Sequence, residues 1–135
     1  MVANLVEGVS YPFVYSLADM GTLPDHPHKN IARLLKAKRF RKPDISETIQ
    51  ELLGGEVGRG QLSGGLVVDV GANVGMASFV VAVMGFRVLA FEPVFENLQR
   101  ICDGVYLNRV QDRIVVYHAA SLQLLIELGL LRCTR

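Results

Sequence analysis

The sequence predicts an α/β domain built on a partial parallel sheet of about three strands with flanking helices. Three observations carry that prediction. Short apolar, β-branched runs stand at 66–70, 87–91 and 114–118, helical periods separate them, and a glycine-rich turn follows the first run. Strands and helices alternating at this length imply right-handed crossovers between parallel strands. Half of the 135 residues are hydrophobic, so a packed core is expected rather than disorder.

Residues 1–43 mix aromatics, Pro24, Pro27 and a basic cluster without a sustained period, and they read as a loosely structured arm. Asp44 and Glu47 have capping-box spacing, which predicts a helix over 45–53 closed by Gly54 and Gly55. With a glycine-rich linker to Gly65 it makes a second segment, 44–65. The third segment, 66–120, opens on Leu66-Val67-Val68-Asp69-Val70, the composition of a strand buried on both faces.

A tight turn is expected over 71–75, with Asn73 as the cap of a helix running from Val74 to Met84. That helix is apolar nearly all round, as one covered on most sides would be, and Gly85 suits its left-handed C′ position. Arg87-Val88-Leu89-Ala90-Phe91 is the second strand. In the next helix Phe95, Leu98, Ile101, Cys102, Val105 and Tyr106 mark the apolar face, with Glu96 and Asp103 as solvated charges opposite. Ile114 to His118 supplies the third strand, with His118 as a hydrogen-bonded structural residue at its end. Residues 121–135 form a leucine-rich tail, apolar on too many faces for an exposed helix, which is expected to fold back over the sheet.

A formal net charge of +1 argues against a surface built for nucleic acid or an anionic membrane. Lys36, Lys38, Arg39, Arg41 and Lys42 read as a solvated face. His26 and His28, flanking Pro27, do not make a metal site by themselves, and none is predicted. Of the two cysteines, Cys102 and Cys133, the first occupies an apolar helical position and is expected as a buried free thiol outside any disulfide framework. No basic leader precedes an apolar core, and no run approaches the roughly 20 apolar residues that span a bilayer. A soluble, cytoplasmic chain is the expectation.

The chemistry concentrates in Asp69-Val70-Gly71-Ala72-Asn73-Val74-Gly75, which is a strand end, a turn and a helix start in one stretch. Gly71 and Gly75 lack side chains, so a ligand can lie against the backbone while helical N–H groups face its polar end. Glu92 follows the second strand directly, and a carboxylate there can accept hydrogen bonds from adjacent ribose hydroxyls. In a parallel sheet both features fall at the carboxyl ends of neighbouring strands and converge on one crevice. A nicotinamide fingerprint would need glycines at the first, third and sixth positions of the turn, which here are Gly71, Asn73 and Met76. Two of the three fail.

The stretches Val68-Asp69-Val70-Gly71-Ala72-Asn73-Val74-Gly75, Val88-Leu89-Ala90-Phe91-Glu92-Pro93 and Glu96-Asn97-Leu98 resemble the FkbM-type methyltransferase family, over roughly residues 65–120. The resemblance implies a Rossmann-like half-domain, the front half of a class I S-adenosylmethionine (SAM)-dependent methyltransferase fold. It implies SAM as cofactor, with Asp69, Gly71, Ala72, Asn73 and Gly75 bordering its methionine half. Glu92, with Pro93 beside it, would take the ribose, and Val94 would lie near adenine. It further implies methyl transfer to an oxygen of a small molecule or sugar, and no catalytic residue is nominated.

The family pattern stops after Ala120, so a truncated form is expected, with the first strand left as an edge open to self-association. A non-catalytic interaction protein is the alternative reading, and a nicotinamide dehydrogenase the third.

Overall fold

The computed structural model describes residues 2–6, 8–17, 44–57 and 65–119. The tail after Ala119, the basic cluster 36–42, His26 and His28 lie outside them. Element order is β1 (Val2–Val6), β2 (Phe13–Leu17), α1 (Asp44–Val57), β3 (Leu66–Val70), α2 (Met76–Val83), β4 (Arg87–Phe91), α3 (Phe95–Asn108) and β5 (Ile114–Tyr117).

β3, β4 and β5 form a parallel sheet in that order, Leu66 facing Arg87 and Val88 facing Ile114 in register. With helices packed along it, this is the α/β, partial Rossmann-like architecture expected of the three apolar runs. One face is closed: Val88, Ala90, Ile114 and Val116 point towards the helices and are buried. Phe79 and Val80 of α2 and Leu98, Ile101 and Val105 of α3 belong to the same core. Crossovers of one hand place α2 and α3 on one side of the sheet.

The other face departs from expectation. β3 was expected to be buried on both faces, yet Leu66, Val68 and Val70 are 53%, 46% and 55% exposed. Successive side chains alternate across a strand, so Val67 and Asp69 turn inward while these three look outward from an edge strand with β4 on one side only among the described residues.

Within the segment read as a loose arm, β1 and β2 pair as an antiparallel hairpin, Val2 against Leu17 through Val6 against Phe13. Phe13, Tyr15 and Ser16 are buried where β2 packs on α2 and α3. Two side-chain amides pair with backbone here, Gln50 just before β2 and Asn108 within it. Gln50 of α1 accepts from the Tyr11 N–H (3.1 Å) and donates to the Tyr11 carbonyl (2.9 Å). Asn108 of α3 accepts from the Val14 N–H at 2.7 Å and donates to the Val14 carbonyl. Each pair satisfies one backbone N–H and one backbone carbonyl.

α1 outruns its expected end: Gly54 and Gly55 lie inside it and the helix continues to Val57. α2 starts at Met76 with Gly75 as its N-cap, so Asn73 is not the cap; Asn73 instead adopts φ 53° in the turn. Gly85 is left-handed at φ 100°, as expected of the residue past the helix end.

α3 is rotated relative to its predicted face. Leu98, Ile101 and Val105 are buried, but Phe95 and Tyr106 are exposed. Asp103, expected in solvent, is 4% exposed; it accepts a hydrogen bond from Ser16 Oγ at 3.4 Å and lies 3.5 Å from the Arg100 guanidinium. Gly104 supplies the reason. The Phe79 ring stands where a Cβ at Gly104 would be, so the helix presents its 101–104–105 stripe to α2 and carries Asp103 inward beside it. Cys102 corrects a further expectation, because it is disulfide-bonded rather than a free thiol.

Candidate functional site

At the carboxyl ends of the strands, the chain reverses after β3 and again after β4, and the two reversals are tied together. The N–H groups of Gly71 and Ala72 both donate to the Phe91 carbonyl at 2.9 Å, and the Glu92 N–H donates to the Tyr117 carbonyl at 3.0 Å. These bonds extend the ladder past the strands and hold Glu92 beside the glycine turn. Gly75, at φ 85°, closes the turn by donating to the Ala72 carbonyl at 2.8 Å. A Cβ on Gly75 would come within 2.7 Å of the Phe79 ring, so both its conformation and its surroundings require glycine. Gly71, at φ 77°, has nothing within 4 Å of where a Cβ would be. Open space over bare backbone is what close approach of a ligand needs.

Glu92 is the centre of the arrangement, buried to 3% exposure. Its Oε2 accepts from the Asn73 N–H at 2.7 Å, and its Oε1 accepts from the Val94 N–H at 2.9 Å and Asn97 Nδ2 at 3.2 Å. A buried carboxylate without such donors would carry a heavy desolvation cost. A carboxylate offers about four acceptor positions, so about one remains once these three are filled. The bond from Asn97 is the longest and comes from a side chain, which makes it the readiest to yield to an incoming hydroxyl.

The turn presents fewer free donors than its sequence suggests. The amides of Gly71, Ala72, Asn73 and Gly75 are all spent inside the protein. What remains to a ligand is the open backbone surface at Gly71, the unpaired N–H groups intrinsic to the first turn of α2, and the last acceptor position on Glu92.

Asp69 stands two residues before Gly71, and its carboxylate turns towards α2, where Ser78 Oγ donates to Oδ2 at 2.6 Å. Pro93 and Val94 are exposed beyond Glu92. His118 lies just past β5, its Nε2 2.9 Å from the Pro93 carbonyl and its ring 6.0 Å from that of Phe95, which is the structural, hydrogen-bonded role expected of it. Two contributors escaped the sequence reading. Ser78 carries no motif signal, and its place is set by helical geometry in the first turn of α2; Asn97 lies in Glu96-Asn97-Leu98, and its position alone does not show that its side chain reaches Glu92.

Among the described residues no helix is long and apolar enough to cross a membrane, and no group of three or more His, Cys, Asp or Glu side chains could hold a metal ion.

The fold and site thus define an α/β protein in which the loops after β3 and β4 meet at the carboxyl ends of a partial Rossmann-like sheet. No family model matches the chain, and no curated protein matches it. Among solved structures it is similar to a crystal structure named as a putative transferase from Pyrococcus horikoshii, at 21% identity over 85% of this chain and 34% of that one, with a TM-score of 0.47. The chain therefore spans about a third of that structure's length.

Proposed function

We propose that the chain carries the cofactor-binding part of a SAM-dependent methyltransferase of FkbM type, acting in O-methyl transfer. The observation that carries this reading is the Asn73–Glu92 hydrogen bond, 2.7 Å long, which unites the turn after β3 and the carboxylate after β4 in one crevice. Buried acceptor and open glycine backbone on adjacent parallel strands suit a nucleoside. The residues fit SAM as follows. Gly71, Ala72, Asn73 and Gly75 form the backbone floor under the methionine half, with Asp69 bordering it. Glu92 accepts from a ribose hydroxyl, and the exposed Pro93–Val94 segment lies along the adenine.

When bound, SAM supplies a methyl group on a positively charged sulfonium. The chain's part is then orientation and exclusion of water, which provide much of the acceleration in an in-line displacement. Asn73 and Val94 act by holding the Glu92 carboxylate through backbone amides, so the acceptor position left for the ribose is already oriented before binding.

Isothermal titration of the 135-residue chain tests this. SAM and S-adenosylhomocysteine should bind, NADH should not, and Glu92→Gln should weaken SAM binding by ~10-fold or more, the scale of a hydrogen bond to a charged group. Thermal melts should report a folded variant in parallel. Absence of heat with SAM, or equal affinity in folded Glu92→Gln, overturns the reading.

A second reading, a non-catalytic chain that associates through β3, is favoured by the exposed Leu66, Val68 and Val70 on an edge strand. Light scattering that shows a monomer at all concentrations removes it.

A further inference from the structure

A cavity of about 300 Å³ lies between α1, β3 and α2. Its walls are Ile49 and Leu53 of α1, Val67 of β3 and Val81 of α2, and its polar groups are Asp69 and Ser78. Leu52 and Val68 stand exposed on it and open it to solvent at the sheet edge. The polarity is one-sided. Asp69 lies two residues before Gly71 and Ser78 three residues after Gly75, so the polar end is the end next to the glycine turn.

We infer that this cavity receives the methyl acceptor, and that the acceptor is a compact apolar alcohol or phenol rather than a sugar. The assignment of the ligand as an acceptor rests on the cofactor reading above. The choice of class rests on the cavity. Ser78 fills one of the about four acceptor positions of the Asp69 carboxylate, and those left lie together at the polar end of the cavity. A hydroxyl is satisfied there; sugar hydroxyls directed away from that end would face Ile49, Leu53, Val67 and Val81 and lose their water without replacement. A volume at the lower end of the usual ligand-pocket range, about 300–1,000 Å³, suits a single ring or short chain.

With SAM bound, transfer would form the acceptor's O–CH3 bond as the S–CH3 bond breaks, the bonding pair staying with sulfur as a neutral thioether, and Asp69 Oδ1 would take the hydroxyl proton and pass it to water.

The test uses the full chain, with p-cresol as probe and glucose as comparator, and no cofactor in the first arm. Isotope-filtered NMR should show NOEs from the p-cresol ring to methyl groups of Ile49, Leu53, Val67 and Val81, and glucose should give none. Asp69→Asn should raise the p-cresol Kd by ~10-fold, the scale of one hydrogen bond to a charged acceptor. No NOEs to these methyls, or equal perturbation by glucose, overturns the inference whether or not SAM binds. A second arm adds SAM: cresol NOEs without SAM binding would leave the cavity assignment standing and defeat the cofactor reading. SAM binding without cresol NOEs would do the reverse.

Discussion

The two faces of the β3–β4–β5 sheet have similar amino-acid composition and opposite fates. Val88, Ala90, Ile114 and Val116 are buried under α2 and α3, whereas Leu66, Val68 and Val70, of the same apolar character, are about half exposed. The open face is not uniform. At its carboxyl end Phe91 stacks on Tyr117 with ring centroids 5.0 Å apart and is itself buried, so exposure is concentrated along β3. What separates the faces is topology. Both crossovers pass on one side, and a strand residue's exposure follows from which side the helices occupy rather than from its own hydrophobicity. Helices on one face suffice to position the glycine turn and Glu92, and the candidate site is built entirely at the strand ends.

The largest effect is expected on the closed face. Phe79 is fully buried, packs on Phe13 with centroids 6.5 Å apart, and occupies the space left by Gly75 and Gly104. Phe79→Ala should cost about 3–5 kcal/mol in urea denaturation, a large share of a typical domain's stability. A loss below about 1 kcal/mol would mean that α2 does not close the core.

An intermediate effect is expected from pH through the hairpin under the same helices. Burial pushes the Tyr15 hydroxyl from 10.0 up to about 12. The folded state therefore holds its proton more tightly than the unfolded state does. The associated stability should be complete below pH 10 and lost progressively as pH rises towards about 12. Absorbance titration at ~295 nm should show one tyrosine ionising late, together with loss of structure, and Tyr15→Phe should remove that component. Tyr15 ionising near pH 10 with structure retained would contradict the buried hairpin.

The smallest effect is expected on the open face. Val68→Thr should change stability by no more than about 0.5 kcal/mol, as surface substitutions do. A loss of ~1–2 kcal/mol would show that another part of the chain, or a second copy, covers β3 in solution.

Much of this was legible beforehand because local patterns are short-ranged physics. Asp69 to Gly75 and Phe91-Glu92-Pro93 each combine a strand end with a turn, and the parallel register brings them together as expected. Gly85 is a left-handed helix stop in sequence and in structure. Asp103 and Asn73 show where such reasoning stops. Asp103 has the sequence context of a solvated charge, but the close packing of Gly104 on Phe79 turns it inward towards Ser16, 87 residues away in the chain. Asn73 looks like a helix cap, yet the helix starts only at Met76 with Gly75 as its N-cap, and Asn73 lies in the turn with its backbone N–H on Glu92.

By itself the sequence determined the strand–turn–helix grammar, the order of the parallel elements and the two loops of the candidate crevice, because periodicity and backbone conformational preference act over a few residues. Only the tertiary structure decided which sheet face is closed, that residues 2–17 contribute a hairpin tied down by Gln50 and Asn108, and that Asp69 turns to Ser78 while Glu92 reaches Asn73. Those outcomes depend on how side chains from distant segments fill a shared volume, and no local pattern encodes which neighbour arrives.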